Sequence, residues 1–449
     1  MTTKRIFLFA CLVWGLSSSL LAQHFSFNKF FDDNKDLFDS IVSNKEKYKL
    51  QILYTQIDRN EKQEPRFTTY SFDADKYYYY CASTIKLPAA IFALEKLNSL
   101  SKYHVTKEDS FSIENLSCDN LTDENLSIKK KRTCIDQLIK EMLLVSNNYA
   151  FNPLYDFITP ELFNKRLHEL GYKNAVVCRR FAGCDSLENL LTNPITFYDS
   201  FSVPKIKQDV VSAYDLKGYS GPLSPLIGKG NMKSGLLINA PFDFSRFNYI
   251  PLSNLHDLLQ KIIFPDTVSK KLNLTRSDYK SLMKYMGMFP RESFYPEYNG
   301  DTFPDNYMKF FIGLDSGETH MPSNLRVFNK VGQAYGFITD CGYVEDTVNK
   351  VEFFLSASIY VNKNEILNDG IYEYDAIGFP FLHQLFNKIY ETELLRNRAV
   401  KPKFRKFYFD EHFSEPKEEI EEKLDTEIPT IQLEEKKGKK HHKRKNRKK

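Results

Sequence analysis

The chain has 449 residues, 42% of them hydrophobic, which suits one core of roughly 250–300 residues with extensions better than several equal domains. Its formal charge is +4, yet residues 436–449 alone hold ten Lys or Arg and no acid. Taking those ten away leaves −6, so the body is mildly acidic and carries no overall basic charge of the kind that marks nucleic-acid binding.

Residues 1–22 start with Lys4 and Arg5, continue through an apolar run over 6–16, and end in small residues at 17–22. This is the pattern of a secretory signal cut near Ala22–Gln23; the alternative is an uncleaved anchor, for which the apolar run is short against a span of about 20 residues. Cys11 and the only tryptophan, Trp14, fall inside it. The mature chain then holds Cys81, Cys118, Cys134, Cys178, Cys184 and Cys341, an even number that permits disulfides after export. Chain proximity favours Cys118 with Cys134 and Cys178 with Cys184, leaving Cys81 for Cys341, among about 15 possible connectivities. No cysteine spacing suggests a zinc site, and no metal or other cofactor is expected.

Residues 26–46 read as helical. Two strand-like runs follow, 48–58 and 66–72, separated by a polar turn. Residues 89–97 are apolar on every face, as a helix buried all round would be. The middle of the chain, about 100–320, reads as mostly helical, with helices over 134–145, 160–170, 252–263 (opened by Ser253 as a cap) and about 276–287. Three strands at 325–329, 335–344 and 351–361 and a helix from about 376 to 395 close the folded part. The order predicts an α+β fold: a five-stranded antiparallel sheet built from both chain ends, with flanking helices and a mostly helical lobe. The domain runs over about 23–400. Residues 401–449, Glu-rich and then Lys-rich, read as a charged tail without regular structure.

Ser-x-x-Lys occurs seven times, at Ser83, Ser99, Ser127, Ser202, Ser277, Ser281 and Ser414. Only Ser83 opens a helix expected to be buried all round. Residues three apart share a helix face, so Lys86 can reach the Ser83 hydroxyl, and burial would lower its pKa until it serves as a base. The ordinary reading of any one copy is a solvated surface pair. Ser146-Asn147-Asn148 follows the helix over 134–145, where its bland reading is a helix-terminal cap. Lys330-Val331-Gly332 ends a strand-like run, where a lysine supplies positive potential and a glycine admits close backbone approach. Lys233-Ser234-Gly235 matches a Lys-hydroxyl-Gly pattern better by letter, but sits in a Gly- and Pro-rich loop. No histidine falls in any of these patterns, so a Ser-His-Asp triad is less economical, although His104, His256 and His320 leave it open.

Ser83-Thr-Ile-Lys86, Ser146-Asn147-Asn148 and Lys330-Val331-Gly332 together resemble, in order, the three motifs of class A serine β-lactamases and penicillin-binding proteins. The resemblance spans roughly residues 26–395, with a long insertion between Ser146 and Lys330. It implies that Ser83 is the nucleophile and Lys86 its base, that Ser146 relays a proton, and that Lys330 stabilises charge. Asn148 would hold the substrate amide, and the backbone N–H groups of Ser83 and Gln333, beside Gly332, would form an oxyanion hole. Glu188, followed by Asn189, is the best-placed deacylating base. Two residues depart from the family: Asn147 stands for the usual Asp, and Val331 for a hydroxyl that binds a substrate carboxylate.

The resemblance implies an exported monomeric serine hydrolase, periplasmic or associated with the cell envelope, acting on a β-lactam or a peptidoglycan-type amide. A D-alanyl-D-alanine peptidase with slow deacylation, and a non-catalytic envelope-binding protein that kept the fold, stay open. The basic tail suits an anionic envelope surface, and no nucleic acid is expected as a partner.

Overall fold

Side-chain alternation shapes the central layer. In the strand Leu325–Ala334, Val327 and Val331 enter one apolar cluster and Phe328 enters another, because successive strand residues point to opposite faces. The strand Phe337–Asp346 repeats this: Phe337, Cys341 and Tyr343 lie on one side, Ile338 and Val344 on the other. A sheet apolar on both faces requires cover on both. The computed structural model, which describes residues 24–114, 133–181, 184, 188–210, 222, 224–315, 317–404 and 430–431, shows that cover.

The sheet has five antiparallel strands in the order Leu325–Ala334, Phe337–Asp346, Val351–Tyr360, Gln51–Arg59, Pro65–Phe72. Both chain ends therefore build it, as the sequence predicts. Helices α1 (Phe27–Asp33), α2 (Lys35–Val42) and α9 (Phe379–Leu395) cover one face through Phe27, Phe38, Phe381 and Phe386. The single helical stretch expected over 26–46 is broken at Asn34, which caps α1 and precedes α2.

On the other side α7 (Leu252–Ile263) and α8 (Arg276–Gly287) meet the sheet, and α3 (Lys86–Ser99), α4 (Ile135–Leu144), α5 (Phe151–Ile158) and α6 (Pro160–Leu170) pack in the same apolar cluster. Their ends follow local chemistry. Thr159 caps α6 and Pro160 opens it, while Thr275 and Asp278 form a capping box on α8. Ser253 does not cap α7; that place belongs to Pro251, and the Ser253 hydroxyl donates to Asp75 instead.

The region 100–320 is less helical than its sequence suggests. Ser110–Ile113, Ile195–Tyr198 and Pro204–Gln208 pair antiparallel beside α5, and Thr430–Ile431 adds a short parallel strand to them. The rest of the charged tail beyond 404, and the signal-like segment up to residue 23, lie outside the described residues. No helix among the described residues is long and apolar enough to cross a membrane.

The three favoured cysteine pairs do not form, since Cys81, Cys134, Cys178 and Cys341 are free thiols. Separate partners account for three of them. Cys81 Sγ donates to the Asn248 carbonyl at 3.1 Å, Cys178 Sγ to that of Arg246 at 3.4 Å, and Cys341 Sγ accepts from Ser356 at 3.0 Å. Cys184 alone of the described cysteines is disulfide-bonded.

Candidate active site

Ser83 lies in a short 3-10 turn, Ala82–Ile85, that runs directly into α3. Three residues per turn keep Ser83 and Lys86 on one side of it. The turn is held from behind by aromatic burial: Tyr78, Tyr79 and Tyr80 are buried, and Tyr79 donates to the Ile250 carbonyl at 2.7 Å. Ala82 has φ +43, a left-handed conformation costly for a residue with a Cβ. Strain of this kind beside a half-buried serine marks a position that the surroundings enforce.

The strand carrying Lys330 lies against this turn. At Gly332 a Cβ would stand 2.5 Å from the Cys81 carbonyl oxygen and 3.1 Å from Thr84. Only a glycine lets the strand approach so closely. Lys330 is in mid-strand rather than at a strand end.

Two lysines converge on one serine. Lys86 Nζ donates to the Ser146 carbonyl at 2.5 Å, to Asn148 Oδ1 at 2.6 Å and to Ser146 Oγ at 3.3 Å. Lys330 Nζ donates to the same Ser146 Oγ at 2.8 Å. Ser146 takes φ +58 just after α4, which turns both its oxygens toward the lysines. Neither lysine is exposed beyond 1%. Burial, with the Lys330 charge added, holds Lys86 well below the usual lysine value. Burial brings Lys330 down to about 7 against the upward pull of Asp340. The Ser83 hydroxyl is not among the acceptors of Lys86, and takes no hydrogen bond within the described residues.

Residues 35–215 match the model of the β-lactamase enzyme family. The chain has a β-lactamase-like serine-hydrolase fold. Lys330 and its strand lie beyond the matched segment, and tertiary packing brings them to it. Solved structures similar to the chain include the TLA-3 extended-spectrum β-lactamase, at 14% identity over 80% of this chain and 99% of that one, TM-score 0.46. A class A β-lactamase from Bacteroides cellulosilyticus shows 13% identity over 80% and 97%, TM-score 0.42. The structure of PBP-A shows 14% over 80% and 95%, TM-score 0.45. No curated protein matches the chain.

The other candidates fall in different places. Asn147 is turned inward: its amide donates to Glu141 at 3.0 Å and its oxygen accepts from the Tyr149 N–H at 2.9 Å. Asn148 is exposed, with its oxygen engaged by Lys86. Gln333 is exposed on the strand beyond Gly332. Val331 is 2% exposed and packs with Ile338 on the sheet's far face. Glu188 begins a short turn, Glu188–Leu190, and its backbone carbonyl accepts from Arg180 at 2.8 Å. Asn189 is buried, its oxygen accepting from the Arg180 N–H at 2.7 Å.

The rival Lys233 is on the exposed side of a tight hairpin between Gly230–Lys233 and Leu236–Ile238, turned by Ser234 and Gly235 at φ +50 and +79. His256 is in the core between Thr55 at 2.8 Å and Ser356 at 2.7 Å, with its pKa lowered to about 4 by burial. Both its nitrogens are engaged, so it is no partner for Ser83. His104 and His320 are likewise tied to no site residue.

Phe181 is a site residue that sequence reading missed. Its ring lies over Lys86, 4.7 Å from Nζ to centroid. Nothing in Arg-Arg-Phe-Ala distinguishes it locally. The neighbouring Arg180 enters a buried ion pair with Asp156 and donates to the Leu191 carbonyl at 2.6 Å, tying both ends of the segment 180–191 to α5.

Proposed function

We propose that this β-lactamase-like protein is an exported serine acyl hydrolase that forms an ester on Ser83. The observation that carries this reading is the convergence of Lys86 and Lys330 on Ser146 beside the strained Ser83 turn. Lys86, whose pKa burial lowers, takes the Ser83 proton as the hydroxyl oxygen bonds to the substrate carbonyl carbon. Ser146, already hydrogen-bonded to both amines, passes a proton to the leaving nitrogen as the amide C–N bond breaks. The backbone N–H groups of Ser83 and Gln333 hold the oxyanion. Asn148 keeps its amide N–H groups for a substrate carbonyl, and Lys330 attracts a substrate carboxylate.

The substrate is a β-lactam or a peptidoglycan-type amide. Val331 offers no hydroxyl to a carboxylate, which argues against efficient antibiotic hydrolysis as the purpose of the site. A D-alanyl-D-alanine peptidase with slow deacylation is favoured by one further observation: among the described residues, Lys86 donates to Ser146 and Asn148 and to no carboxylate. Incubation with a fluorescent penicillin should label the wild-type chain and leave Ser83→Ala unlabelled. Equal labelling of the two would remove Ser83 as nucleophile. Turnover of nitrocefin would favour the lactamase over the peptidase.

A further inference from the structure

Phe181 packs its ring over the Lys86 amine. Its ring is 4.7 Å from Lys86 Nζ. It is fixed from two sides: the ring meets Phe151 edge-on, centroids 4.8 Å apart, and the backbone N–H donates to Asn152 Oδ1 at 2.9 Å. Phe151 and Asn152 both belong to α5 and are fully buried. The polar contacts of Lys86 are all on Ser146 and Asn148. An aromatic face attracts an ammonium but accepts no proton from water and cannot orient one. Hydrolysis of a Ser83 ester needs a water oxygen to bond to the acyl carbon while its proton passes to a base. The C–O bond to Ser83 then breaks, and Ser83 Oγ regains a proton. Lys86 is the base of the acylation reading, and the Phe181 ring lies over it.

We propose that Phe181 is a positioning residue, an apolar wall over Lys86 that keeps hydrolytic water from the acyl-enzyme and so makes the Ser83 ester long-lived. This rests on the acylation reading above. The wall also keeps Lys86 dry. Among the described residues the charged group that acts on Lys86 is Lys330, from the neighbouring strand; Ser146 and Asn148 are neutral. Arg179 and Arg180 on the Phe181 segment turn to the Phe247 ring and to Asp156.

The test follows the Ser83 adduct of a fluorescent penicillin on the full chain by intact-mass spectrometry. The expected result is a persistent adduct in the wild type and release at least about 10-fold faster in Phe181→Ala, as a base becomes available to water. Phe181→Leu, which restores apolar cover, should return most of the lifetime. The pH midpoint of acylation should move upward in Phe181→Ala, because a rehydrated Lys86 keeps its proton longer; mere loosening of the segment would not move it. A folded Phe181→Ala that acylates but releases at the wild-type rate, or with an unmoved midpoint, overturns the proposal. Absence of any adduct in the wild type is a different outcome, and sinks the acylation reading together with this one.

Discussion

The Lys330 ammonium donates to the Ser146 hydroxyl at 2.8 Å, across 184 residues of sequence. That one bond ties the sheet to the end of α4, and Lys86 reaches the same serine from α3. A hydroxyl shared by two buried amines is built to move protons. Ser146→Ala should therefore slow Ser83 acylation by about 100-fold while leaving Ser83 as the labelled residue. Stopped-flow or quench kinetics with fluorescent penicillin reads this, and an unchanged rate would remove Ser146 from proton relay.

Gly332→Ala tests the close approach of strand and nucleophile turn. A Cβ there meets the Cys81 carbonyl at 2.5 Å, backbone that cannot swing aside. The strand must shift from the turn, with a stability cost of about 1–3 kcal/mol by overpacking. Acylation should fall far more than stability does. Urea denaturation together with labelling separates the two effects, and wild-type acylation in this variant would show that the approach is dispensable.

Lys330 makes a pH prediction. Its pKa is lowered by burial from 10.5 to about 7. Between those values the unfolded chain binds a proton at this site that the folded chain does not. Stability contributed by this group therefore rises as pH rises from about 7 to about 10.5, and is flat below. Lys330→Met should reduce the measured slope by this group's share, the rest belonging to other buried lysines such as Lys86 and Lys96, and be more stable near neutrality, at the expense of acylation. Denaturation curves at several pH values across this window check the sign; a slope in Lys330→Met as steep as in the wild type would assign it wholly to other groups.

Arg180 and Asp156 form an ion pair with side chains 1% and 0% exposed. Removing one partner strands the other, which costs about 3–5 kcal/mol. Arg180→Ala should lose that stability and free the segment that carries Phe181 and Glu188. A double variant with Asp156→Leu should recover part of it, because no lone charge stays buried. Thermal unfolding of the three variants measures the coupling, and simple additivity would contradict it.

Much was legible in the residue order. The strand-like runs at 325–329, 335–344 and 351–361 and the all-round apolar pattern over 89–97 foretold the sheet with flanking helices and the buried α3, since burial follows side-chain period. Ser83, Lys86 and Ser146 could be proposed from spacing, because helix and turn geometry is local. The cysteine pairs could not be read, as thiol proximity depends on how distant elements stack. The second small sheet was hidden because its strands, such as Ser110–Ile113 and Ile195–Tyr198, are four residues long and pair across 80 or so positions.

By itself, then, the sequence determined the sheet from both chain ends, the Ser-x-x-Lys turn and the candidates around it. Tertiary structure decided which of those candidates meet. It brought Lys330 and not Lys233 to Ser146, because the Lys330 strand packs on the nucleophile turn while Lys233 sits at an exposed hairpin. It turned Val331 into the far-side core, engaged His256 between two hydroxyls, and set Phe181 over Lys86. Desolvation of Lys86 and Lys330 belongs to that second list, since a pKa depends on what surrounds a group in space rather than on its neighbours in the chain.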